Sequence, residues 1–287
     1  MKTLPLCLPH AALLCTALFV SACDVSVGDG GLSFGIARGK ASDEWTRTYT
    51  VSPGGRLEIV NINGSIDVSP SSGSQIEIRA LREVRAGDDD VAREELGKLP
   101  MLEEVAPDRV SVRARIDRER RSGFGRGQAV IIEYKIRIPN GLSVSLKTEN
   151  GGVRLENVQG QLVAGTVNGG VTARSLSGSL EAATVNGGIQ IDLASVTGNV
   201  SATTVNGGVR VELPTDVKAD IEGSAVNGGV SVDDRFAFTG DRPDAPHFPG
   251  VPKLVSGKIN GGGHKISVHT VNGGVRVTAR GAPRGET

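Results

Sequence analysis

A chain of 287 residues with 32 basic and 32 acidic side chains has no formal net charge, so no long-range field draws it to nucleic acid or to an anionic surface. Its 40 glycines and 3% aromatic residues would suit collagen or disorder, but there is no Gly-X-Y period. The glycines fall between β-branched residues, which points to regular turns between strands.

In chain order, Met1-Lys2 gives a short positive start, residues 11–20 are apolar, and Val20-Ser21-Ala22-Cys23 follows. Those are the three parts of a secretion signal. Small residues leading straight into a cysteine resemble the bacterial lipobox. The resemblance implies removal of residues 1–22, a thioether-linked diacylglycerol on Cys23 and a further palmitate-type chain on its new amino group. Two or three chains anchor stably, because each buried CH₂ contributes about 0.8 kcal/mol. The apolar run is short for a span of about 20 residues, and Pro5, Pro9 and His10 break the segment before it. Cys7 and Cys15 would leave with the signal, so the mature chain must stand without an internal disulfide. Asp24 resembles the residue that retains enterobacterial lipoproteins in the inner membrane. The expected location is outside the cytoplasm, lipid-anchored to a bacterial membrane on its periplasmic side or at the cell surface.

Residues 23–43 are Gly-rich and aperiodic, reading as a flexible tether. A β-rich capping region is expected over 44–140, with strands at 46–51, 57–62, 65–68 and 75–83. Acids at the start of 88–99 and Lys98 near its end predict a helix. Strands at 109–116 and 129–138 read as a hairpin. Its tip carries Arg118, Arg120, Arg121 and Arg126 interleaved with Asp117 and Glu119, the pattern of a solvated loop.

From there the chain repeats. Asn150, Asn168, Asn186, Asn206 and Asn227 each open an Asn-Gly-Gly triplet, at spacings of 18, 18, 20 and 21 residues, and Asn272 opens a last copy. Asn63-Gly64 is an early, degenerate one. Alignment on the triplet puts Val153, Val171, Ile189, Val209, Val230 and Val275 in one column and Leu155, Ala173, Ile191, Val211, Val232 and Val277 in another. A second turn at Gly160, Gly178 and Gly198 precedes columns at Leu162, Ala164 and Val167 and their equivalents. Each unit thus holds two short strands. Hairpins would favour a two-residue Asn-Gly loop, whereas apolar columns in constant order are what stacking in register at about 4.8 Å requires. Glycine admits the tight corner, asparagine tolerates it, and stacked Asn amides can bond along the axis. The expected fold is all-β: a single-stranded parallel β-helix or β-solenoid of 18–21-residue coils over 141–280, with one short helix and a β-hairpin in the N-terminal half. Residues 281–287 read as a disordered tail.

The Thr-Val-Asn-Gly-Gly segments beginning at Thr166, Thr184, Thr204 and Thr270 resemble a family of bacterial β-strand-repeat proteins often labelled adhesins, domain of unknown function 4097. The resemblance covers roughly residues 45–280 and implies a β-helix in the cell envelope. It carries over no catalytic residue.

Two places could carry function. Residues 234–252 interrupt the coil spacing and hold Phe236, Phe238, His247 and Phe248, a candidate partner contact or a plug for the solenoid's side. Asp192, Glu212 and Asp233 share an outward column, expected on three successive coils. They could serve as an acid pair in a polysaccharide-processing enzyme or as a solvated, partly neutralised ladder with Arg154 and Arg210 beside it. No cofactor or metal is expected, since the mature histidines lack ligand spacing and no nucleophile motif is present. The expectation is a non-enzymatic binding, adhesin-like or scaffold module whose partners are the membrane, through Cys23, and an unidentified envelope protein or glycan, and not nucleic acid.

Overall fold

The computed structural model describes residues 24–28, 31–35, 39–115, 129–241 and 253–281. Cys23, the Arg-rich tip, His247 and Phe248 lie outside them.

The N-terminal half contains β1 (Asp24–Gly28), β2 (Gly31–Gly35), β3 (Gly39–Thr50), β4 (Arg56–Val60), β5 (Ile66–Pro70), β6 (Gln75–Ala86), α1 (Asp89–Gly97), β7 (Met101–Ala106), β8 (Arg109–Ala114) and β9 (Ala129–Ile138). The repeats supply β10 (Leu142–Asn150), β11 (Val153–Glu156), β12 (Gln159–Asn168), β13 (Val171–Asn186), β14 (Ile189–Leu193), β15 (Val200–Asn206), β16 (Val209–Leu213), β17 (Ala219–Asn227) and β18 (Val230–Val232). β19 (Phe238–Asp241), β20 (Lys253–Ile259), β21 (His264–Asn272) and β22 (Val275–Ala279) complete the chain. The tether expected at 23–43 contains the antiparallel pair β1–β2 and the first residues of β3.

β1 and β2 form a sheet of their own; the other strands form a curled, solenoid-like sheet with two faces, meeting where β13 bends at Ser175 (φ 52°) and pairs with neighbours on both. The first face stacks β8, β4, β10, β12, β13, β15, β21 and β17 in parallel. The second stacks β9, β5, β11, β13, β14, β16, β22 and β18 in parallel. Parallel stacking thus crosses residue 140 without a break.

Two features differ from the sequence reading. β8 and β9 are not a hairpin: β8 pairs with β4 on one face and β9 with β5 on the other, so together they make one more coil. Alternating apolar residues suit either arrangement, and only the neighbours decide. Hairpins among the described residues of this half are β1–β2 and β7–β8. At the other end, the last repeat does not follow Asn227 in space. β21 lies between β15 and β17, and β22 between β16 and β18, so the chain sets down its outermost coil first and then fills the gap beneath it.

Period-two alternation puts Leu162, Ala164 and Thr166 inside together with their equivalents, and Val153, Leu155 and theirs opposite them. By the same parity Val167, Val185, Val205 and Val271 face outward, although they align with the apolar columns. The helix forms because Asp88 accepts the Val91 amide at 2.8 Å and Asp89 and Asp90 sit in its first turn. Its Ala92 and Leu96, four residues apart, bury against the core. Antiparallel strands cover both ends, with β6 and β3 beyond β9, β7 beyond β8, and β20 and β19 beyond β17. The edge on the second face, β18, is only three residues long, which limits edge-to-edge pairing.

Candidate functional site

The corners come first, because they position everything on the outer surface. Each corner Asn donates from Nδ2 to the Oδ1 of its neighbour at 2.7–2.8 Å, in the order Asn227, Asn272, Asn206, Asn186, Asn168, Asn150, Asn63. Under them, Thr166 Oγ1 donates to Gly151 O at 2.8 Å, and Thr184, Thr204 and Thr270 do the same to Gly169, Gly187 and Gly207. The buried Asn61 takes the threonine's place in the first coil, giving its Nδ2 to Asn63 O, Gly64 O and Ile132 O. Every amide in the ladder is committed to another amide, so the Asn column is a structural seam.

The two glycines of each triplet are not equivalent. A Cβ on the first glycine (Gly151, Gly169, Gly187, Gly207, Gly273 or Gly228) would lie 1.8–2.1 Å from the carbonyl oxygen of the adjacent coil. No side chain fits there. A Cβ on the second would sit 3.4 Å from the nearest atom at Gly152, Gly188 and Gly274 and would meet nothing within 4 Å at Gly229, but it would be tight at Gly170 and Gly208, 3.0 and 3.2 Å from a carbonyl oxygen of the next coil. Nor does any second glycine have positive φ.

Beside the bare second-glycine column runs an outward column on the second face: Arg154, Thr172, Gln190, Arg210, Arg276 and Ser231 on successive coils. Over its C-terminal four coils the two columns line an open groove of about 640 Å³, with Gly188, Gly208, Gly274 and Gly229 along it.

The acidic column is not a continuous ladder. Asp192 and Glu212 are neighbours, but the next coil places Thr278 beside Glu212, and Asp233 comes one coil further on. The intercalated repeat separates them. Asp192 is ion-paired with Arg280, and Asp233 holds Arg235 at 2.9 Å while also accepting the Ala279 amide at 3.2 Å. The Arg235 guanidinium, opposed by partial burial and helped by these backbone amides, holds the Asp233 carboxyl well below the usual carboxylate range. Asp233 therefore clamps the end of the stack.

Phe236 is 3% exposed and belongs to the core. Phe238 packs against that core on β19, its ring lying across Gly257. Of the four candidate contact residues, these two close the end of the solenoid.

A pair that sequence reasoning missed is Ser224 and His269, whose Oγ and Nδ1 are 2.8 Å apart. They are 45 residues apart in the chain and meet only because the last repeat is intercalated. Strand β17 pairs on both sides, with β20 and β21, so its backbone amides are committed to ladders rather than available as an oxyanion hole. Among the described residues no cluster of His, Cys, Asp and Glu could hold a metal ion.

A solenoid-like stack with a structural seam and open faces defines a class of repeat protein. Residues 126–278, more than half of the chain, match the family model described as Toastrack DUF4097, and the protein belongs to that family. Among solved structures it is similar to a "putative cell adhesion protein" of Clostridium sporogenes, at 13% identity over 83% of this chain and 100% of the other, with a TM-score of 0.45. It is also similar to a "putative adhesin" of Bacteroides fragilis, at 12% identity over 83% and 97% of the two chains, with a TM-score of 0.31. No curated protein matches.

Proposed function

We propose that this protein is a lipid-anchored module of the bacterial cell envelope, a single-stranded parallel β-helix that binds a partner along its outer surface and does no chemistry on it. The observation that carries this reading is the construction of that surface. Rigid seams of Asn amides and Thr hydroxyls hold regular outward columns on successive coils, while Thr278 separates Asp233 from the adjacent Asp192 and Glu212, and Asp192 and Asp233 are each ion-paired with an arginine. A preorganised surface favours binding because little ordering entropy is lost on contact. Export and anchoring rest on the lipobox at 20–23. Among the described residues no helix is long and apolar enough to cross a membrane.

The test has two readouts in cells of a lipoprotein-processing bacterium. Labelled palmitate should enter the chain and be lost with Cys23→Ser, which should also release the protein from the membrane fraction. The intact lipoprotein, immobilised, should bind a component of detergent-solubilised envelope saturably. A palmitate-free chain or purely non-saturable binding contradicts the proposal. Glycan cleavage abolished by replacing Asp192 and Glu212 with Asn would favour the polysaccharide-processing alternative.

A further inference from the structure

The second glycine of the Asn-Gly-Gly triplet recurs on six coils, yet neither backbone conformation nor packing demands it at Gly152, Gly188, Gly274 or Gly229. Each lies at the corner just before a second-face strand, where glycine gives up backbone entropy and packs nothing. What its repetition does achieve is a strip without side chains that runs along the stack. The column beside it, Arg154, Thr172, Gln190, Arg210, Arg276 and Ser231, carries hydrogen-bond donors and no carboxylate over six coils, a length of about 24 Å at the spacing of stacked strands.

The arginines of this column differ in their partners. Arg154 is held by Asp67 at 3.2 Å, and in the column two residues on, Arg174 faces Glu156. Arg210 and Arg276 are exposed, lie on adjacent coils, and have no ion-pair partner among the described residues. Two like charges side by side on a parallel ladder repel one another. An oxyanion between them would relieve the repulsion, and the planar guanidinium fork suits a carboxylate in two-point contact.

We propose that this groove binds an extended acidic polysaccharide, with its carboxylates gripped by Arg210 and Arg276 and its backbone lying along the second-glycine strip. The proposal deepens the binding-module reading and rests on it. An extended chain fits because the groove is open, spans several coils and offers Gln190, Arg210, Arg276 and Ser231 side by side along it. Glu212, also outward and two residues beyond Arg210, weakens the site's positive field without filling it.

The experiment measures binding of the full chain, purified in detergent, to polygalacturonate. Neutral dextran, poly-glutamate and anionic phospholipid vesicles serve as comparison probes. Saturable binding to polygalacturonate is expected, weakening as salt rises, with dextran not bound. Arg210→Ala with Arg276→Ala should weaken it by at least about tenfold, because each substitution removes a charge-assisted hydrogen bond to the ligand. Gly188→Val and Gly229→Val should weaken it comparably by filling the strip while leaving the thermal midpoint unchanged. Glu212→Gln should strengthen it. Equal binding by the arginine double variant, tighter binding of vesicles or poly-glutamate than of polygalacturonate, or insensitivity to both glycine substitutions would each overturn the proposal. If the double variant still binds solubilised envelope like the wild type, the groove assignment fails while the binding-module reading survives.

Discussion

The middle of the stack and its C-terminal end use the same repeat, yet relate chain order to space in different ways. From Asn150 to Asn206 each triplet lies next to the one before it in the chain, and successive amides bond at 2.8 Å. Beyond Asn206 the neighbour is Asn272, 66 residues away, and Asn227 lies outside it. The middle could form coil by coil from local contacts. The end must wait for a long closure, and it is there that Arg210 meets Arg276 and Ser224 meets His269. What is distinctive on the surface depends on the non-local step, whereas what is regular depends on the local one.

Removing residues 264–279 is the strongest way to break the comparison. It takes out a coil with buried neighbours on both sides, including Ile266, Val268, Val275 and Val277. At about 1.5 to 3 kcal/mol for each larger buried side chain, more than about 5 kcal/mol should be lost in denaturant unfolding. A loss below about 1 kcal/mol would place that repeat at a dispensable end.

Within the middle, Gly187→Ala should cost about 3 kcal/mol, because its Cβ would lie 1.9 Å from Gly169 O and the coils would have to separate. Gly188→Ala, one residue on, should change stability by less than about 0.5 kcal/mol. Equal effects in thermal unfolding would remove the distinction between the two glycines on which the groove is built.

At the end of the stack, Asp233→Asn should cost about 1 to 2 kcal/mol at neutral pH through its bonds to Arg235 and Ala279. Its folded pKa is depressed, so the charge stabilises the fold above the ordinary carboxylate range and that contribution fades as pH falls below it. The wild type and the variant should therefore converge in stability toward strongly acid pH. A gap that persists there would mean that Asp233 acts through packing.

At the N-terminal end the expected effect is small and of opposite sign. Tyr134 is fully buried on β9, with a hydroxyl that has no hydrogen-bond partner among the described residues, and burial pushes its pKa up. Tyr134→Phe should leave stability unchanged or raise it by up to about 1 kcal/mol. A measured loss would reveal a partner for that hydroxyl.

Much of the regular region was legible in the sequence because a solenoid writes its geometry into columns. The apolar positions three and five residues after each Asn of the middle repeats alternate with polar ones and are buried as a set. The helix was legible from Asp88 to Asp90 and its capping chemistry. Intercalation was not, because every Asn-Gly-Gly copy has the same stacking chemistry and nothing local says which open edge the last copy will join. The same loss of neighbour information made β8 and β9 read as a hairpin. It also put Asp192, Glu212 and Asp233 on consecutive coils, and it hid the arginine pair, whose members are 66 residues apart in the chain. Phe236 and Phe238 stood out by composition, but that one is core and the other packs against it is visible only in three dimensions.

Cross-linking decides the order of the coils most directly. In an otherwise cysteine-free chain, Val205→Cys paired with Val271→Cys puts two outward thiols on adjacent strands, within the Cα separation of about 4.4 to 6.8 Å that a disulfide tolerates. Val205→Cys paired with Val226→Cys puts them two coils apart, about 9.6 Å. Oxidation should link the first pair and leave the second as free thiols. A disulfide between 205 and 226, with 205 and 271 unlinked, would contradict the intercalated coil and the arginine groove it creates.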